Sequence, residues 1–113
     1  MTEHAISEIR SDRDHVVLLN VFEVRPDRAQ DLLDTLARAT EEVMKDRPGF
    51  ISASFHRSLD GKSVVNYAQW ASVEDFEAMR ADPACQEHMQ ACAALCERFT
   101  PRLLKLESVH ALG

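Results

Sequence analysis

The heptapeptide VVNYAQW, Val64 to Trp70, sets an asparagine and a tryptophan four residues apart in a stretch whose β-branched and aromatic content reads as a strand. Alternate residues of a strand share a face, so Asn66 and Trp70 project together with Val64 and Ala68. Parity along the neighbouring segments adds Asn20, Ser52, Ser54, His56 and Ser108 to that surface. Amide and indole N–H groups donate hydrogen bonds, amide oxygens accept them, and an imidazole exchanges protons near neutral pH. A few such groups converging on an apolar hollow is the usual form of a small-molecule site. Room for a hollow follows from Ser52, Ser54 and Ala68, whose small side chains lie beside the large indole and leave volume that an overlying helix does not fill.

A helix supplies further groups: His88, Met89, Cys92 and Cys96 fall within about a third of one helical circle. One straight helix cannot wrap a metal ion tetrahedrally, and its cysteines lack the Cys-x-x-Cys spacing, so no metal site is expected. Three glycines, Gly49, Gly61 and Gly113, exclude a dinucleotide fingerprint or phosphate loop. No nucleophile-and-base constellation can be identified.

The elements that must position these groups follow from periodicity. HVVLLNVFEV, His15–Val24, is a strand. Pro26 and Asp27 open a helix whose stripe runs through Ala29, Leu32, Leu33, Leu36, Thr40, Val43 and Met44, and Pro48-Gly49 ends it. FISASFHRS and KSVVNYAQW flank Asp60-Gly61, which predicts a tight primed hairpin turn. Ser72 to Asp75 is a capping pattern ahead of a short helix with Phe76 and Met79. Asp82-Pro83 caps a second segment running to about Arg98, Thr100-Pro101 stops it, and RLLKLESVHAL is a final strand. The order β-α-β-β-α-β is the split βαβ, an α+β ferredoxin-like fold with a four-stranded antiparallel sheet. Residues 1–13 are polar and aperiodic and read as a flexible N-terminal arm; residues 14–113 form one domain.

By parity one sheet face holds Val17, Leu19, Val21, Ile51, Ala53, Phe55, Val65, Tyr67, Leu103 and Val109; the other, with Asn66 and Trp70, holds Leu18, Phe22, Val24, Phe50, Leu104 and Leu106. Both are apolar, yet right-handed crossovers place the helices on one face only. A bare apolar face exceeds what a soluble monomer usually exposes, so a second copy is expected to pack sheet against sheet as a homodimer.

Composition narrows the partners. With 13 Lys and Arg against 19 Asp and Glu the formal charge is −6, which argues against nucleic acid and anionic membranes. No apolar run reaches the ~20 residues of a membrane span, and the N-terminus lacks the apolar stretch of a signal peptide. Three cysteines, an odd number on one helix, do not make a disulfide framework. A cytoplasmic protein is expected.

The run PGFISASFHRSLDGKSVVNYAQWASVEDFEAM, with the following ADP and HM, resembles the antibiotic biosynthesis monooxygenases in order and spacing, over about Val16 to Val109. The match looks closest to the small quinone-forming members of aromatic polyketide pathways. That resemblance implies a dimeric α/β barrel that oxidises a hydroxylated aromatic or quinol to a quinone with molecular oxygen, using no flavin, metal or haem. It implies that Asn66 and Trp70 grip substrate oxygens. On that basis His56 is the expected base or proton relay, and Asn20, Phe22, Phe50, Phe76, Met79 and His88 are expected substrate contacts. Phe76 stands where some relatives carry a phenol, which removes a hydroxyl. The haem-degrading branch has an Asn on the first strand, a Trp on the helix after the third strand and a His on the last helix. Asn20 and His88 sit close to the first and last of these positions, but the middle one falls near Met79 and the Trp is missing, so haem degradation ranks lower. A non-catalytic module that only binds a small hydrophobe, and an isomerase or cyclase working without oxygen, are the rival uses of such a cavity.

Overall fold

The computed structural model describes residues 4–113. Its strands are β1 (Val16–Glu23), β2 (Phe50–Arg57), β3 (Ser63–Trp70) and β4 (Arg98–Leu104), and its helices α1 (Ala29–Glu42), α2 (Val73–Ala81) and α3 (Pro83–Ala93). The sheet order is β2-β3-β1-β4 with every pairing antiparallel, the α+β ferredoxin-like arrangement expected.

Local chemistry sets the boundaries. Ser72 accepts a hydrogen bond from the Asp75 N–H and starts α2. Asp82 accepts from the N–H groups of Ala84 and Cys85 at the start of α3, while its carboxylate meets Arg47 at 2.7 Å. Those N–H bonds, first of all that of Ala84, hold the Asp82 carboxyl below its ordinary pKa against the opposing effect of burial. Gly49 has φ +83°, and a Cβ there would stand 2.3 Å from the Asp75 carboxylate, so the turn between α1 and β2 requires glycine.

Three expectations are corrected. The hairpin loop is longer than a two-residue primed turn: Gly61 N–H donates to the Ser58 carbonyl, and Gly61 alone in the loop takes a positive φ. Helix α3 stops at Ala93, and the last strand begins at Arg98, earlier than the Thr100-Pro101 pair suggested. The free edge of β1 captures this segment, with Glu97 N–H donating to the Glu23 carbonyl and Arg98 donating to the Glu23 carboxylate at 2.6 Å. Pro101 is tolerated because β4 is an edge strand, where a missing N–H costs no ladder bond. Residues 105–113 have no regular structure.

The third correction matters most. Phe50 pairs with Trp70, but Ser52 pairs with Gln69, so β2 carries one extra residue between Phe50 and Ser52. Such a bulge reverses the facing of all that follows. Ala53 and Phe55 therefore join Ala68 and Asn66 under the helices, while Ser52, Ser54 and His56 lie on the open face. In β4, likewise, Leu103 shares the face of Leu18, the reverse of the parity expected, and Leu104 that of Val17.

Between sheet and helices the core forms two clusters. One joins Phe22, Val24, Leu32, Leu36, Val64 and Cys92; the other joins Leu18, Ala68, Trp70, Phe76, Met79 and Cys85. On the open face Leu19, Val21, Val65 and Tyr67 are half-buried. Residues 4–13 have no regular structure and cross part of this face. There Ser7 donates to Ser52 at 3.1 Å, Arg13 to the Gln69 side chain at 2.5 Å, and Gln69 to the Glu8 carbonyl at 2.9 Å. Residues 1–3 of the expected arm lie outside the described residues.

Candidate active site

A cavity of about 140 Å³ opens where the two core clusters meet, bounded by residues of both. Its floor is the central strand pair. Asn20 of β1 stands directly opposite Asn66 of β3, a register that brings the two Cβ atoms within about 5 Å. One turn of the β1 pleat away are Leu18 and Phe22; along β3 lie Ala68 and Trp70. Helix α1 and the turn after it roof one side with Leu36, Thr40 and Met44, and α3 roofs the other with His88, Met89 and Cys92.

The lining is almost wholly apolar, and its polar members can be accounted for singly. Thr40 is spoken for: its hydroxyl donates to the Leu36 carbonyl at 2.9 Å. Burial pushes the Cys92 thiol up to about 11, so it stays protonated at neutral pH. The side-chain oxygens of Asn20 and Asn66 are buried and have no hydrogen-bond partner among the described residues. Leaving a buried acceptor unpaired costs about 1–3 kcal/mol, and here two such groups face each other across one strand pair. The Trp70 ring is 2% exposed and is clamped edge-on by Phe50, with centroids 5.5 Å apart, and by Phe76 at 6.3 Å. Those contacts fix the indole plane beside the amides. Among the described residues His88, half-buried, is the one imidazole on the lining, and no carboxylate, lysine or arginine reaches it.

Of the residues expected from sequence, Asn20, Phe22, Phe50, Asn66, Trp70, Met79 and His88 are brought together around this cavity. Two are not. His56 is exposed on the opposite sheet face, because the bulge in β2 turned it away. Phe76 is buried behind Trp70 and supports that ring instead of walling the cavity. Phe55 and Phe99 line the cavity without having been expected. The Phe22–Phe99 pairing carries the second of these, with ring centroids 6.0 Å apart. The alternation in Arg98-Phe99-Thr100, read as an edge strand that tolerates Pro101, is the sequence signal for it.

Among the described residues no group of three or more His, Cys, Asp or Glu side chains is placed to hold a metal ion. Among the same residues no helix is long and apolar enough to cross a membrane.

Known proteins share both sequence and shape. The chain is 42% identical over 108 residues to the tetracenomycin-F1 monooxygenase of Streptomyces glaucescens, covering 96% of this chain and 94% of that one. A monooxygenase from ActVA-Orf6 of Streptomyces coelicolor, solved with nanaomycin D, superposes with a TM-score of 0.82 at 28% identity, covering 89% of this chain and 95% of that one. SnoaB of Streptomyces nogalater, a cofactor-independent oxygenase, superposes at 0.76 with 25% identity, covering 85% and 96%. Residues 15–91 match the profile of the Antibiotic biosynthesis monooxygenase family. The chain belongs to that family and is a monooxygenase.

Proposed function

We propose that this cavity holds the reacting ring of a hydroxylated aromatic or quinol and oxidises it to a quinone with molecular oxygen, with no flavin, metal or haem. The observation that carries the proposal is the pair of unpartnered amides, Asn20 and Asn66, in an almost wholly apolar hollow that the Trp70 indole also lines. A phenolic O–H satisfies an orphaned amide oxygen as a donor. Once deprotonated, the same oxygen accepts from the amide and indole N–H groups. Preorganised donors of this kind act where negative charge develops.

The redox chemistry then belongs to the substrate. Triplet dioxygen does not react directly with a closed-shell molecule, but an electron-rich phenolate transfers one electron to it. The resulting ring radical and superoxide combine, forming a C–O bond, and the peroxide takes up a proton. Loss of the proton from that same carbon breaks the O–O bond and leaves a quinone carbonyl and water. The substrate supplies all four electrons that reduce the one dioxygen molecule, two in forming the peroxide and two in breaking its O–O bond. His88 takes the place expected of His56 as proton acceptor, being the imidazole on the lining. It receives the phenolic proton and returns it to the peroxide. A second copy covering the half-buried Leu19, Val21, Val65 and Tyr67 gives the homodimer, and the free thiols suit a cytoplasmic setting.

An oxygen electrode tests the reading. Oxygen uptake with an anthrone or naphthol should persist after exhaustive chelation and flavin-free purification, and His88→Ala should lower kcat by about 10²–10⁴. A strict requirement for metal or flavin overturns the cofactor-independent route. Product formed under nitrogen points to an isomerase or cyclase, and binding without turnover to a non-catalytic module.

A further inference from the structure

The cavity has a mouth, formed by a residue other than those proposed to grip the substrate. Every side chain on the lining is buried or half-buried except Phe99, which is 46% exposed. It sits on β4, the edge strand, all of whose residues are exposed. Helix α3 ends at Ala93, short of covering that edge. Phe99 packs against Phe22, tilted by 35°, and Phe22 is itself 5% exposed. The two rings thus form a step leading from the buried amides outward to solvent.

Volume gives that step a task. An apolar cavity of about 150 Å³ takes up benzene, so the 140 Å³ beneath the helices accommodates about one aromatic ring. A fused-ring substrate whose reacting ring lies between Asn20, Asn66 and Trp70 must leave its remaining rings at the mouth. There a flat apolar surface is already half uncovered.

Resting on the proposed aromatic substrate class, we infer that Phe99 is a specificity-determining residue, which stacks on the outer rings of a fused-ring substrate and sets the enzyme's preference for ring number. It touches no reacting atom, so its contribution enters through binding and not through the chemical step.

The test compares one ring with three in wild type, Phe99→Ala and Phe99→Tyr. Two readouts are used: anaerobic quenching of Trp70, the single tryptophan of the chain, by resorcinol and by 1,8-dihydroxyanthraquinone, and aerobic turnover of a hydroquinone and an anthrone. Phe99→Ala should weaken the three-ring ligand and raise the anthrone KM by about fivefold, the scale of one lost aromatic contact. The one-ring compounds and kcat should change by less than about twofold, and Phe99→Tyr, which keeps a flat ring without adding an indole, should restore three-ring affinity. Equal losses for one and three rings, or unchanged three-ring affinity in Phe99→Ala, overturn the inference. Because quenching needs no reaction, a protein that binds by ring number yet turns over nothing would refute the proposed oxidation while leaving the role of Phe99 standing.

Discussion

The two faces of the sheet each bury carboxamides, and they use them in opposite ways. On the open face Gln69 is fully buried with both ends engaged, its oxygen by Arg13 and its nitrogen by the Glu8 carbonyl. On the helix face Asn20 and Asn66, on the two central strands, leave their oxygens unpaired. The same functional group, separated by the thickness of one sheet, is a fastener on one side and an unmet demand on the other. Satisfied polar groups specify a fold; unsatisfied ones lining a cavity specify what it is for.

The comparison breaks most visibly at Asn66. Removing a transition-state donor costs about 10²–10³ in kcat, so Asn66→Ala should lose that much oxygen uptake. Its melting temperature should hold or rise, because an unpaired buried acceptor has been deleted. Wild-type turnover would remove the amide from the mechanism, and failure to fold would show that the amide on the helix face is structural after all. Gln69→Leu should do the reverse. It strands the Arg13 guanidinium and the Glu8 carbonyl, costing about 1–3 kcal/mol, read as a fall in melting temperature while kcat in folded protein stays put. Loss of kcat without loss of stability would erase the distinction between the faces.

The smallest effect sharpens the contrast by pH. The Asp82 carboxyl, which caps the helix carrying His88, has its pKa lowered chiefly by the Ala84 N–H. A group with a lowered folded pKa stabilises the fold above its unfolded value and loses that contribution as pH falls through the folded one. Wild type should therefore be more stable than Asp82→Ala at neutral pH, with the gap closing only as pH falls below the ordinary aspartate value of about 4. A constant gap across that range would mean that the cap does not titrate.

Much of this was legible beforehand. The strand and helix periods gave the element order, Ser72 and Asp82 announced their caps, and the spacing of Asn66 and Trp70 put both in the cavity. The alternation of β1 and β3 is uninterrupted, so parity worked there for Asn20 and Phe22 as well. What escaped notice depended on tertiary context. Nothing in FISASFHR marks the bulge, because an extra residue is absorbed by pairing with β3 and not by local propensity. The start of β4 was hidden because Pro101 reads locally as a stop, whereas the open edge of β1 makes it harmless. Both misreadings were of facing and extent, and they are why His56 was expected inside and Phe99 was not.

The supernumerary residue in β2 has one more implication. It is lodged at the Trp70 end of the strand, so everything from Ser52 onward presents an oily wall, Ala53 and Phe55, to the hollow. Housed instead at the Ser58–Lys62 end, the same eight letters would present two hydroxyls and an imidazole. The wetness of this chamber is thus decided by where a single surplus amino acid is accommodated.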